Sequence, residues 1–114
     1  MQIDIQSRGF SLTEALLSYT RKRLLTAMSY CSGHVNRVAV RLTDINGPRG
    51  GADKRCHIQV ALTGIADVVV EDTEVDLYAA IDRAINRARR TVFRKVDRQL
   101  TLLKQREPLE LNAE

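Results

Sequence analysis

The sequence is short of the residues that define several protein classes. Its two cysteines, Cys31 and Cys56, are too few in 114 residues for a disulfide framework, and such a pair suits a reducing compartment. No basic-then-apolar leader with a small-residue cleavage site opens the chain, so the expected location is the cytoplasm. No apolar stretch approaches the ~20 residues of a membrane-spanning helix, and a membrane partner is not expected. Aromatic residues make up only 4%. None marks the polar side of a strand pattern, so the stacking platform of an RNA-recognition motif is missing.

What remains is an ordinary globular composition, 44% apolar and 28% charged, enough for one core. We expect one domain over residues 1–106 and a mobile acidic tail over 107–114. The net charge of +4 is unevenly spread. Residues 1–76 carry nine basic and nine acidic side chains, 77–106 carry nine basic and two acidic, and the last eight residues carry three acids. A neutral body with one cationic segment points to a polyanionic partner, because solubility alone does not require the charge to be gathered.

Periodicity gives the order β-α-β-β-β-α. Gln2-Ile3-Asp4-Ile5-Gln6 alternates as a strand, and Gly9 marks a turn. Ser11-Leu12-Thr13-Glu14 has capping-box spacing, with Ser11 as the expected cap, and Leu16, Thr20, Leu24 and Ala27 then form a helical stripe that runs until about Tyr30, with Gly33 as the stop signal. Val38, Val40 and Leu42 alternate with polar positions, as do Cys56, Ile58, Val60 and Leu62, around the turn-rich segment 46–53. Residues 66–71 read as a third strand of this meander. Asp72 or Thr73 is the expected cap of a second helix, whose stripe Leu77, Ile81, Ala84, Ile85, Ala88, Val92, Val96 and Leu100 should run until Pro108. An α+β fold is expected, a four-stranded sheet with both helices on one face.

On the second helix Arg83, Arg87, Arg90 and Arg94 fall within a wedge of roughly 60°, facing away from the apolar stripe, over about 16 Å of rise. Guanidinium groups are planar, permanently charged and weakly hydrated, which suits phosphate oxygens. Arginines also occupy exposed helix positions merely as good helix formers paired with nearby acids. Here only Asp82, Asp97 and the distant first turn, with Glu74 and Asp76, offer acids near the row, so phosphate binding is the stronger reading. Lys22 and Arg23 on the first helix, and Arg49, Lys54 and Arg55 in or beside the long turn, are further candidates. Gly47-Pro48-Arg49-Gly50-Gly51 reads equally as an adaptable contact loop or a plain hairpin connection, and it lacks the Lys-Ser/Thr end of a P-loop.

Cys31, His34, Cys56 and His57 invite a metal reading. Adjacent strand residues point to opposite faces, so Cys56 and His57 do not serve one ion, and no metal or cofactor is expected. A core-facing thiol without a cationic neighbour is not an activated nucleophile. No catalytic centre or small-molecule substrate is expected.

Leu12-Thr13-Glu14-Ala15-Leu16, Arg23-Leu24 and above all Asp76-Leu77-Tyr78-Ala79-Ala80-Ile81-Asp82 resemble the ribosome hibernation-promoting and ribosome-associated inhibitor proteins, over about residues 1–95. The resemblance implies a fold similar to a double-stranded-RNA-binding domain. It also implies a partner, the small ribosomal subunit and its RNA, on which such proteins block messenger and transfer RNA sites. Arg87, Arg90 and Arg94 match the family's basic places on the second helix and Arg23 one on the first, while Arg83 extends the row. Thr26 and Ser29 stand where other members carry lysines, a departure that shifts or weakens contact there. The chain resembles the short type, expected to act as a monomer when bound and not to pair ribosomes by itself. The competing reading is a regulator that binds an acidic protein through the same helix.

Overall fold

Alternating segments become sheet and 3.6-periodic ones become helix in a computed structural model that describes residues 1–45 and 53–112, with side chains described to residue 104. The elements are β1 (Gln2–Arg8), α1 (Glu14–Met28), a short 3-10 segment (Ser29–His34), β2 (Val35–Asp44), β3 (Lys54–Leu62), β4 (Ile65–Glu74) and α2 (Leu77–Asn112). The sheet order is β1-β2-β3-β4. β1 lies parallel to β2, which the α1 crossover makes possible, and the other pairs are antiparallel hairpin neighbours. The α+β arrangement with two helices on one face is the one the periodicities predict.

Register puts Ile3 beside Val38 and Ile5 beside Val40, Val40 opposite Ile58, and Ile58 opposite Val70. One sheet face is therefore continuous aliphatic surface, and it is sealed by Leu16, Leu24 and Met28 of α1 and by Ile81, Ala84, Ile85, Ala88, Val92 and Val96 of α2. Each large aliphatic residue buried this way contributes about 1.5–3 kcal/mol. The opposite face carries Asp4, Arg37, Arg41, His57 and Gln59, and Arg37 pairs there with Asp4 at 2.6 Å. Gly9 closes the β1–α1 turn at φ +87°, where a Cβ would lie 3.0 Å from the Asp44 carbonyl oxygen. Only glycine fits there without strain.

Four boundaries differ from those read in the sequence. The α1 cap is Thr13, not Ser11: its Oγ1 accepts from the Leu16 amide at 3.2 Å, while Leu12 stays outside the helix and packs against the core. A cap at Ser11 would draw that leucine into the first turn. α1 gives way at Met28 to the 3-10 segment, two residues short of Tyr30. Asp72 and Thr73 do not cap α2, because they are still paired with Cys56 and Arg55 of β3. Asp76 takes that role, its Oδ2 accepting from the Ala79 amide and its carbonyl from the Ala80 amide. At the far end Leu100 is 41% exposed rather than core, since the helix has outrun the sheet, and the helical backbone passes Pro108 to reach Asn112. Proline costs a helix one hydrogen bond and a local clash, a penalty rather than a prohibition.

Candidate nucleic-acid interface

The rotation of α2 is set by its aliphatic stripe. With Ile81, Ile85, Val92 and Val96 sunk into the core, Arg83, Arg87, Arg90 and Arg94 must all be exposed. Turning the helix far enough to hide them would expose several large side chains at about 1.5–3 kcal/mol each. The row is thus held outward by the same burial that docks the helix.

Its members differ in what they touch. Arg83 lies 3.8 Å from Glu74 of β4 and remains 69% exposed, a loose pair of the kind that contributes little in water. Arg87 donates from Nη1 to the Glu71 carbonyl at 3.0 Å, which steers the head along the β4 edge while leaving its other donors open. Among the described residues, Arg90 and Arg94 meet no carboxylate, and neither does Lys22 on α1.

Arg23, Lys54 and Arg55 are held within the fold. Arg23 donates from Nε to Asp82 Oδ1 at 3.1 Å, and Tyr19 donates to the same oxygen at 2.7 Å. That bond to Asp82, with burial, raises the tyrosine pKa. Tyr19 also meets Tyr78 edge to face at 4.8 Å. The cluster ties α1 to α2 side by side. Lys54 sits 3.1 Å from both Asp44 and Asp53, and its pKa is raised by its hydrogen bonds to Asp53 and Asp44. Arg55 lies 3.4 Å from Glu71 on the sheet side away from the helices. Arg49 falls outside the described residues.

The thiols offer little chemistry. Both are buried, and burial raises the Cys31 pKa and pushes Cys56 up to about 12. Such thiols are poor nucleophiles and poor ligands. Among the described residues no three His, Cys, Asp or Glu side chains gather in a way that could hold a metal ion, and no helix is long and apolar enough to cross a membrane.

A cleft of about 720 Å³ beside the arginine row went unread in the sequence. Ala27, Met28 and Cys31 line one side, Val92 and Phe93 the other, and Arg87, Arg89, Arg90 and Arg94 the α2 rim. Tyr30 and Phe93 meet across it, ring centroids 5.7 Å apart. The only signal in the sequence was Phe93 set between Arg90 and Arg94 on the same helix. Its partner stands 63 residues earlier, beyond the reach of any helical projection.

The family model described as sigma 54 modulation protein / S30EA ribosomal protein matches residues 3–106. Among solved structures, the chain is similar to the Protein Y N-terminal domain of Thermus thermophilus, with 33% identity, a TM-score of 0.68, and coverage of 82% of this chain and 98% of that one. It is also similar to a ribosomal subunit interface protein from Coxiella burnetii, with 17% identity, a TM-score of 0.69, and coverage of 82% and 96%. At that identity the second likeness is one of fold. No curated protein matched the sequence.

Proposed function

Because the chain belongs to the sigma 54 modulation protein / S30EA ribosomal protein family, we propose that it is a non-catalytic, cytoplasmic ribosome-binding factor. It occupies the small subunit as a single copy, grips ribosomal RNA phosphates with Arg83, Arg87, Arg90 and Arg94, and keeps messenger and transfer RNA out by occupancy. The observation that carries this reading is the α2 row, exposed along its length and met, among the described residues, by one loose carboxylate. Lys22 on α1 is exposed and available for a further contact, whereas Arg23, Lys54 and Arg55 hold the fold together and contribute at most secondary contacts.

Phosphate contact by guanidinium groups releases counterions, so affinity should fall with salt at a log-log slope of roughly −3 to −5 for four to six contacts. The direct test is co-sedimentation with small subunits of the Arg87→Glu/Arg90→Glu variant, whose circular dichroism should match wild type. Loss of co-sedimentation supports the assignment, and unchanged co-sedimentation overturns it. Nuclease treatment separates this reading from an acidic protein partner: an association that survives removal of RNA belongs to the latter.

A further inference from the structure

The cleft beside the row combines two features that phosphate binding does not need. Its floor is apolar, formed by Ala27, Met28, Cys31 and Val92, and two exposed aromatic rings, in edge-to-face contact with each other, stand beside it with their outer faces free to take a third ring. Tyr30 is 82% exposed and Phe93 46%. Their placement follows from the backbone. Cys31 leaves helical geometry at φ −118°, ψ 20° and buries its own side chain, which leaves the preceding Tyr30 outward. Phe93 sits next to buried Val92 on α2 and is turned toward Tyr30 of the 3-10 segment rather than into the core. The α2 rim is cationic, and among the described residues no carboxylate lines the cleft.

A ligand that satisfies all of this carries a flat, weakly polar surface joined directly to negative charge. We propose that the Tyr30–Phe93 cleft receives an unstacked nucleobase of a single-stranded RNA segment whose phosphates lie on Arg90 and Arg94. This deepens the phosphate-row reading and rests on it. An aromatic ring accepts any base face, since stacking is largely indifferent to sequence, and the row continues from the cleft along α2 to Arg83, a path for a strand rather than a pocket for a free nucleotide. An acidic peptide would find the charge but would make poor use of the paired rings.

The test is fluorescence-anisotropy titration of the full chain with a labelled single-stranded RNA decamer and with an abasic decamer of the same backbone. Tyr30→Ala/Phe93→Ala should weaken decamer binding roughly tenfold or more, leave the salt slope unchanged, and leave abasic binding as it was. Tyr30→Phe should retain wild-type affinity, which separates stacking from a general loss of fold. Equal affinity of the double variant and wild type for the decamer, or an equal loss on the abasic strand, overturns the base site alone and leaves the phosphate row standing. Failure of the wild type to bind either strand overturns both. A poly-glutamate peptide bound more tightly than the decamer and lost in the double variant transfers the cleft to a protein partner and overturns the proposal.

Discussion

The start of β3 and the middle of α2 are both basic, yet they stand differently toward solvent. At the start of β3, Lys54 is held by Asp44 and Asp53, and Arg55 faces Glu71. Along α2, Arg90 and Arg94 have no carboxylate within reach among the described residues, and Arg87 touches only a backbone carbonyl. The difference comes from topology. β3 runs between two strands whose ends bring acids opposite its own cations, whereas the outer face of α2, docked by its opposite side, meets among the described residues little beyond the Glu71 carbonyl and the loose Glu74 pair at the β4 edge. Counting charges in a sequence window therefore overstates what is offered to a partner; the useful quantity is charge left over after neighbouring elements have taken their share.

The largest effect should come from reversing charge on each region in turn. Arg87→Glu/Arg90→Glu is expected to weaken small-subunit or RNA binding by roughly 100-fold or more and to shrink the salt slope by about 2, with unfolding temperature nearly unchanged. Lys54→Glu/Arg55→Glu should do the opposite: it sets new acids against Asp44, Asp53 and Glu71, so unfolding temperature falls. Titration with salt and a thermal melt on both variants read the contrast directly, and two variants with the same profile would erase it.

Next in size is a pH effect that separates core from surface. The Cys56 thiol is held protonated in the fold up to about 12 by burial and by the charge of Asp72, against the lower value of a free thiol. A raised folded pKa gives stability that is fully present below the unfolded value and is lost as pH climbs toward the folded one. Urea midpoints should therefore decline above about pH 9, at up to ~1.4 kcal/mol per pH unit from this group, and less steeply in Cys56→Ala. Tyr19 adds in the same direction at higher pH, because its bond to Asp82 also raises its pKa. Arginine stays charged throughout, so RNA affinity should stay flat between pH 7 and 9.

Asp82 tests the reading of Arg23 as a tie between helices. Replacement by Asn removes the charged acceptor of Tyr19 and Arg23; the cluster is more than a third exposed, so the expected loss is about 1 kcal/mol in urea unfolding. Arg23 would be released at the same time, and RNA affinity should hold or rise by up to about threefold. A fall in affinity would mean that the tie positions the interface.

How much of this was legible in the sequence depended on distance along the chain. The strands from Val38 to Leu42 and from Cys56 to Leu62, and the α2 stripe from Ile81 to Val96, follow from periodicity because burial on one face imposes it. The orientation of the arginine row followed from the same stripe. Caps were less legible: Ser11 and Thr13 carry equivalent hydroxyls, and the choice fell to packing of Leu12. Asp72 could have capped α2 had β4 been shorter. Contacts between elements were invisible. Asp82 stands beside the row on a helical projection, yet its partner is Arg23, 59 residues earlier. The Tyr30–Phe93 pair is hidden for the same reason.

The smallest expected effect gives the sharpest comparison. Lys54 and its two aspartates together carry net negative charge, so an approaching phosphate is repelled by the group as a whole. To reach that phosphate the ammonium would have to leave two contacts at 3.1 Å and abandon Asp53, whose side chain is buried. Leaving a buried carboxylate without its cation is costly. Lys54→Ala should therefore change RNA affinity by less than about twofold and leave the salt slope as it was, whereas Arg90→Ala should reduce that slope by roughly 1 and weaken binding several-fold. If Lys54→Ala instead lowers the slope as far as Arg90→Ala does, the lysine has broken its ties to meet the RNA, and the two basic regions form one surface.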